Sequence, residues 1–205
     1  MYFKTHLFLI ILISSCSSEY DCKDYSEEDF TYDQEAIALS DKGVEFQIEG
    51  NLDSAMHYFK LAAEKDPTYY MPHGNIGRLY IKSGDLELAK TEFEKIVELR
   101  PDMAEAHGGL AMFYDYLDLD DKATKEYETA IALYTDRIEC SSDENLMESS
   151  KIDRALFYML SGQEEKGKSE LEDLKEKFEG DPAMQEMMED LINLEKESFL
   201  KEMYE

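Results

Sequence analysis

Six landmark residues recur at a fixed interval along the middle of this chain. Gly77, Tyr80, Gly84, Ala89, Phe93 and Pro101 stand thirty-four positions after Gly43, Phe46, Gly50, Ala55, Phe59 and Pro67. The stretch 70–101 shows what the repeated unit is. His73, Ile76, Gly77 and Tyr80 fall at i, i+3, i+4 and i+7, one face of a helix. Ser83-Gly84-Asp85 interrupts that helix, with a glycine free to take positive φ. Leu86, Ala89, Phe93, Ile96 and Val97 resume the same period. Arg100-Pro101 closes the unit, because proline disfavours helical geometry in the residue before it. Small residues at Gly77 and Ala89 let two helix axes approach, and the rings of Tyr80 and Phe93 fill the space around them. The unit is an antiparallel helix pair, and the chain repeats it.

A third copy keeps the packing residues as Ala111, Tyr114, Ala123 and Tyr127, while Asp118 replaces the turn glycine and Thr135 the closing proline. Its second helix is expected to run on past the usual stop. The stretch Arg137–Ser150 breaks the phase, as part helix extension and part polar loop. Beyond it, Ser161-Gly162-Gln163 echoes Ser83-Gly84-Asp85, and Ala155, Tyr158, Gly167 and Leu171 take the packing sites of a degenerate fourth copy. Arg154 stands there where Ile76 predicts an apolar residue. Asp181-Pro182 reads as the cap and first turn of a last helix, with an apolar face from Met184 to Met203 that suits a terminal cap.

Small, aromatic, glycine, alanine, aromatic and proline in that order, at this period, resemble the tetratricopeptide repeat. The resemblance implies an all-α, short helical solenoid. It divides the chain into repeats at 33–67, 68–101, 102–136 and 151–180, a linker or helix extension at 137–150 and a capping helix at 181–205.

The N-terminus is of another kind. Lys4 precedes a compact apolar run, Leu7–Ile13, too short to span a bilayer and shaped like a secretory signal. Ile13-Ser14-Ser15-Cys16 resembles the lipobox of bacterial lipoproteins, which implies a signal peptide over 1–15 and acylation of Cys16. A conventional signal cleaved near Ser15 or Ser18, giving a secreted regulator without lipid, is the alternative. Residues 16–32 read as an acidic tether between lipid and domain. The implied location is the bacterial cell envelope, with a lipid anchor in the outer membrane.

Charge limits the partners. A formal net charge of -27 with no basic block argues against nucleic acid, whose binding rests on phosphate neutralisation. Basic or apolar peptides suit such a surface.

Little points to chemistry. His73 and His107 are one period apart, which argues for packing on the buried side of the first helix. The acidic run Asp115, Asp118, Asp120, Asp121 lacks the glycine and distal glutamate of a calcium loop and reads as a turn. No phosphate loop or nucleophile motif is present, so the expectation is a non-catalytic protein without cofactor or metal. With Cys16 acylated, Cys22 and Cys140 remain as a pair that a disulfide could join, since residues 22–31 extend about 30 Å.

In the resembled family, the first helix of each repeat lines a concave groove that holds peptides. By helical spacing that groove takes Ile37, Ser40, Val44, Gln47 and Ile48 from the first repeat. The second gives Met71, Asn75, Arg78, Ile81 and Lys82, and the third Glu105, Gly108, Met112, Asp115 and Tyr116. Of the side chains with which some members clamp a terminal carboxylate, only Asn75 matches; Ser40, Val44, Glu105 and Gly109 replace the rest. The expected function is protein–protein recognition by an envelope adaptor, with membrane-anchored repeat lipoproteins of outer-membrane assembly and pilus pilot systems as analogies. The alternative is a lipoprotein that binds a small ligand or glycan through Tyr69, Tyr70 and Tyr116.

Overall fold

The computed structural model describes residues 31–204, and Cys16 and Cys22 lie outside them. Ten α-helices follow one another among these residues: α1 Gln34–Ile48, α2 Leu52–Lys65, α3 Met71–Ser83, α4 Leu86–Leu99 and α5 Ala104–Tyr116. They continue with α6 Asp120–Cys140, α7 Glu144–Leu160, α8 Glu164–Lys177, α9 Pro182–Ile192 and α10 Lys196–Tyr204. Helices α1 to α8 form four hairpins, each packed on the next. No described helix is long and apolar enough to cross a membrane.

One local device makes every hairpin. A single residue in the left-handed region ends the first helix: Gly50 (φ 80°), Gly84 (φ 81°), Asp118 (φ 55°) and Gly162 (φ 82°). The next amide reaches back to the carbonyl of an aromatic residue. Asn51 donates to Phe46 at 2.8 Å, Asp85 to Tyr80 at 2.9 Å, Leu119 to Tyr114 at 2.9 Å and Gln163 to Tyr158 at 2.8 Å. This satisfies carbonyls that a helix end otherwise leaves orphaned.

The small positions do what the pattern requires. A Cβ on Gly43 would lie 2.5 Å from the Phe59 ring, and one on Gly77 3.2 Å from Phe93. Three apolar clusters result. Ala55 and Phe59 of α2 join Ile76 and Leu79 of α3. A larger cluster ties α5, α6 and α7 through Leu110, Tyr114, Tyr127, Tyr134, Phe157 and Leu160. The third joins α7, α8 and α9 through Ala155, Leu171, Leu174 and Met188.

Two expectations need correction. The helix extension expected past Thr135 is present, with α6 continuing to Cys140, but the polar loop of 137–150 shrinks to 141–143 because α7 begins at Glu144. Thr135 explains the first part, since it donates its hydroxyl to Ile131 within the helix at 2.8 Å where proline would have ended it. Asp143 explains the second, capping α7 by accepting from Asn145 and Leu146 at 2.9 and 3.3 Å. The end of the chain is two helices, not one capping helix. Residues 193–195 separate α9, which covers α8, from α10, which returns to α5. Each half of the apolar face buries one residue, Met188 on α9 and Leu200 on α10, while Met187 and Met203 remain exposed.

Candidate binding groove

Helices α3 and α5 stand side by side with α4 behind them, and a cavity of about 230 Å³ opens between them. Phe93 and Ile96 of α4, Ala106 and Leu110 of α5 and Met71 of α3 give it mostly apolar walls. The size of Gly74 and Gly109, one on each flank, leaves that volume unfilled. Asn75 is only 7% exposed, and its side-chain oxygen accepts from the Arg78 guanidinium. Arg78 therefore sits fixed at the rim, a cation held by a neutral group and still exposed.

Across the cavity Glu105 is bound in a fork by Arg137 of α6, at 2.5 and 3.1 Å. Burial acts to raise the Glu105 carboxyl, but the Arg137 guanidinium outweighs it and holds the group below the usual carboxylate value. Tyr70 lines the same cavity and carries the Arg100 guanidinium over its ring at 5.4 Å. The pocket is an apolar slot with one exposed cation held on its rim and one neutralised acid opposite.

Each hairpin beside the slot is clasped by a histidine. His73 Nδ1 lies 2.7 Å from Glu92 and His107 Nδ1 2.6 Å from Glu126, and His107 Nε2 lies 3.1 Å from the Pro101 carbonyl. Both histidines bridge the two helices of their own repeat. Glu92 and Glu126 share the interval of the histidines, a signal the sequence offered and the reading above did not use.

The structure distributes the residues expected in the groove over several places. Met71, Asn75 and Arg78 line the cavity, with Glu105 opposite. Ile81 and Lys82 lie further along α3, and Ile37, Val44 and Gln47 on α1, none of them on this cavity. Of these Val44 is exposed, as is its neighbour Ile48. Asp115 and Tyr116 lie against α10: Asp115 pairs with Lys196 at 2.5 Å, and the Tyr116 ring meets that of Tyr204 at a tilt, with ring centres 5.1 Å apart. Met112 is half-buried against the large α5–α7 cluster.

Two assignments fail outright. Gly108 faces α7, where a Cβ would fall 2.1 Å from the Phe157 ring. Ser40 is buried, 4% exposed, and not open to a groove. Of the three tyrosines expected to form a glycan platform only Tyr70 lines the cavity. Tyr69 is 5% exposed and lies on Tyr32 at 4.7 Å, while Tyr116 is engaged by Tyr204. Cys140 at the end of α6 is disulfide-bonded, and its partner lies outside the described residues.

Comparison with known proteins agrees with this architecture. Residues 47–113 match the tetratricopeptide repeat family. The mitochondrial import receptor subunit TOM70 of Saccharomyces cerevisiae is 35% identical over 92 residues, which is 40% of this chain and 14% of that protein. The chain thus spans a small fraction of the length of this curated relative. Among solved structures, a putative kinesin light chain of Podospora anserina with TPR-like repeats superposes with a TM-score of 0.56 at 13% identity, covering 77% of this chain and 83% of that one. PilF of Pseudomonas aeruginosa gives a TM-score of 0.52 at 17% identity, over 82% of this chain and 72% of that one. The fold is a short tetratricopeptide-type helical solenoid.

Proposed function

We propose that this protein is a non-catalytic adaptor that binds an extended or helical segment of another protein in the groove formed by α3 and α5. The observation that carries this reading is the α3–α5 cavity, apolar-walled and rimmed by Arg78 on its buried Asn75 support. Apolar anchors in a pocket give affinity, and a fixed polar group gives register. The strongly acidic remainder of the chain favours a partner with basic character on its approach. TOM70, named as an import receptor subunit, matches only in part, and its partners are not carried over.

The proposed setting is the bacterial envelope. Residues 1–15 would be removed as a lipoprotein signal and Cys16 acylated, with more than one acyl chain making the anchoring stable. In this reading Cys22 is the partner of Cys140. Replacing Cys16 by Ser tests the anchor: uptake of labelled palmitate should cease and the protein should leave the membrane fraction. Continued labelling sinks that part of the proposal.

The groove itself is tested with a photo-cross-linking residue at Met71, on the cavity, or at Leu88, exposed on α4. Expressed in its native envelope, the full chain should give a discrete adduct from position 71 that Arg78→Glu weakens several-fold, at unchanged helicity. Adducts from position 88 only would place the binding face elsewhere.

A further inference from the structure

Helix α10 does not behave as a terminal cap. It leaves the end of the stack, already covered by α9, and lies along α5 at the edge of the α3–α5 cavity. Lys196 at its start meets Asp115, near the end of α5. Tyr204 at its finish lies against the rings of Phe113 and Tyr116, at 5.2 and 5.1 Å. The Tyr204 hydroxyl approaches the Gly109 carbonyl at 3.5 Å, and Gly109 is a wall of the cavity. Cavity and α10 seat are therefore two halves of one groove, the first open and the second filled from within the chain.

The filled half records the chemistry it accepts. Lys196, Phe199, Leu200 and Tyr204 stand at i, i+3, i+4 and i+8, one stripe of a helix. Leu200 is buried, Phe199 packs on the α5–α7 cluster, and Tyr204 meets Phe113 edge-on and Tyr116 at a tilt. Asp115 supplies the charge complement: its side chain is 8% exposed, and besides Lys196 it accepts from the Tyr127 hydroxyl at 3.0 Å. A carboxylate so enclosed calls for a cation, whether Lys196 or another provides it.

The occupant is also weakly built. α10 has 9 residues, below the length at which an isolated helix is stable in water, and residues 193–195 join it to α9 outside either helix. Its own charges cancel, two lysines against two glutamates, so it escapes the repulsion that an acidic segment would meet on so acidic a protein.

We infer that the α5 half of the groove is a docking surface for an amphipathic helix bearing a basic residue followed at i+3, i+4 and i+8 by apolar and aromatic ones, and that α10 is its resident, displaceable occupant. The inference rests on the groove being the binding face. A partner helix of this pattern exchanges with α10 and gains the open cavity beyond Gly109, which α10 leaves empty.

The chain lacks tryptophan, so Tyr204→Trp in the full mature chain places one reporter on the seat. Docked, it should emit at a short wavelength, and adding Leu200→Asp should shift it to the red by releasing α10. A synthetic peptide of residues 194–205 without the reporter should produce the same red shift by competition. The same peptide with Lys196→Glu should need at least about five times the concentration. Amide exchange of α10 in the unaltered chain, slower than in a free peptide and accelerated by the competitor, gives the same result without mutation. A red shift with Leu200→Asp but none with saturating peptide would make α10 a fixed structural element and overturn the inference. No shift with either would show that α10 is not held on the seat, and would overturn it too. Adducts through Met71 that persist in either case would leave the adaptor reading standing.

Discussion

Hairpins α3–α4 and α7–α8 are the same object made with different residues. Gly84 and Gly162 turn them at nearly equal φ, 81° and 82°, and the back-reaching amides of Asp85 and Gln163 are alike. What differs is the clasp across the pair. In the first it is His73 to Glu92 at 2.7 Å. In the second Arg154 grips Glu170, with its Nε at 3.2 Å, and also donates to Thr135 at 3.1 Å. Glu92 and Glu170 occupy matching sites, but Arg154 stands one turn along the facing helix from the place of His73. The turn and the carboxylate define the hairpin, and the cation that meets the carboxylate can come from either of two positions. A degenerate repeat can therefore lose its apolar signature and keep its shape.

The close contacts break the symmetry most. The small residue of the pair that is glycine sits on the first helix in one hairpin (Gly77, matching Ala155) and on the second in the other (Gly167, matching Ala89). A Cβ on Gly167 would sit 2.6 Å from the Ala155 carbonyl oxygen and 2.7 Å from Met159, whereas one on Gly77 meets the Phe93 ring at 3.2 Å and the Glu92 side chain at 3.5 Å. A ring can shift by tenths of an ångström; a carbonyl within a helix cannot. Alanine gains about 1 kcal/mol of helix propensity over glycine at either site. Gly167→Ala should still lose about 2 kcal/mol from overpacking, and Gly77→Ala should stay within about 1 kcal/mol of the parent. Urea unfolding midpoints of the two variants measure this, and equal losses would mean that both hairpins close with the same clearance.

The clasps should differ next. Arg154 and Glu170 have side chains 17% and 15% exposed, and burial favours neither charge. Arg154→Ala leaves Glu170 enclosed without its cation, at a cost of about 1 to 2 kcal/mol, below the range for a fully buried pair. His73→Ala removes a smaller contact and should cost less than about 1 kcal/mol. Arg154→Ile with Glu170→Leu should recover most of the loss, because two apolar groups replace a pair whose desolvation offset its attraction. Failure to recover would show that Thr135, left without its donor, is what holds α6 to α7.

Acid titration sharpens the contrast between neighbours at the α5–α6–α7 junction. Burial raises the Asp153 carboxyl above its usual value, with Glu105 adding to it. Glu105 itself is held low by Arg137 against the opposing effect of burial. A raised folded-state value makes charged Asp153 a liability that appears as pH rises through that value and vanishes below the ordinary aspartate range. Asp153→Asn should therefore raise the melting temperature at pH 7, with the gain disappearing by about pH 3. A lowered value at Glu105 acts oppositely. Its stabilisation is present above about pH 5 and fades as pH falls through the folded value, so Arg137→Gln should flatten the acid limb of the stability profile.

The sequence reading succeeded where one residue type has one geometric use. Glycine, aromatic and alanine at fixed spacing specify a hairpin, and even Asp118 in place of glycine left the turn in phase. It failed where the partner is distant. Lys196 and Tyr204 are far from Asp115 and Gly109 in sequence, and the apolar stripe that continues from Met184 to Met203 hides the change of direction at residues 193–195. Gly108 was misplaced for a related reason. Helical spacing puts it on the same face as Asp115, but only the position of Phe157 on α7 decides that this part of the face is packed and not open. Asn75 and Arg78 were legible because both belong to one helix, three residues apart. Periodicity reports contacts within and between repeats; the occupant of a groove is not periodic.

Asp118 gives the smallest effect and the finest test of the repeat comparison. It holds φ 55° where the other three hairpins use glycine. Aspartate tolerates this region better than most residues but not without strain. Its backbone bonds match those of Gly84, with its amide 3.0 Å from the Asp115 carbonyl, so substitution removes no hydrogen bond made by the main chain. Asp118→Gly should thus stabilise the protein by about 0.5 kcal/mol, the relief of strain exceeding the extra freedom glycine gives the unfolded chain. Gly84→Asp, the reverse change in an equivalent turn, should destabilise by a similar amount. If Asp118→Gly destabilises instead, the aspartate contributes a side-chain interaction that its three glycine counterparts do not make, and the third turn is a distinct structure within the series.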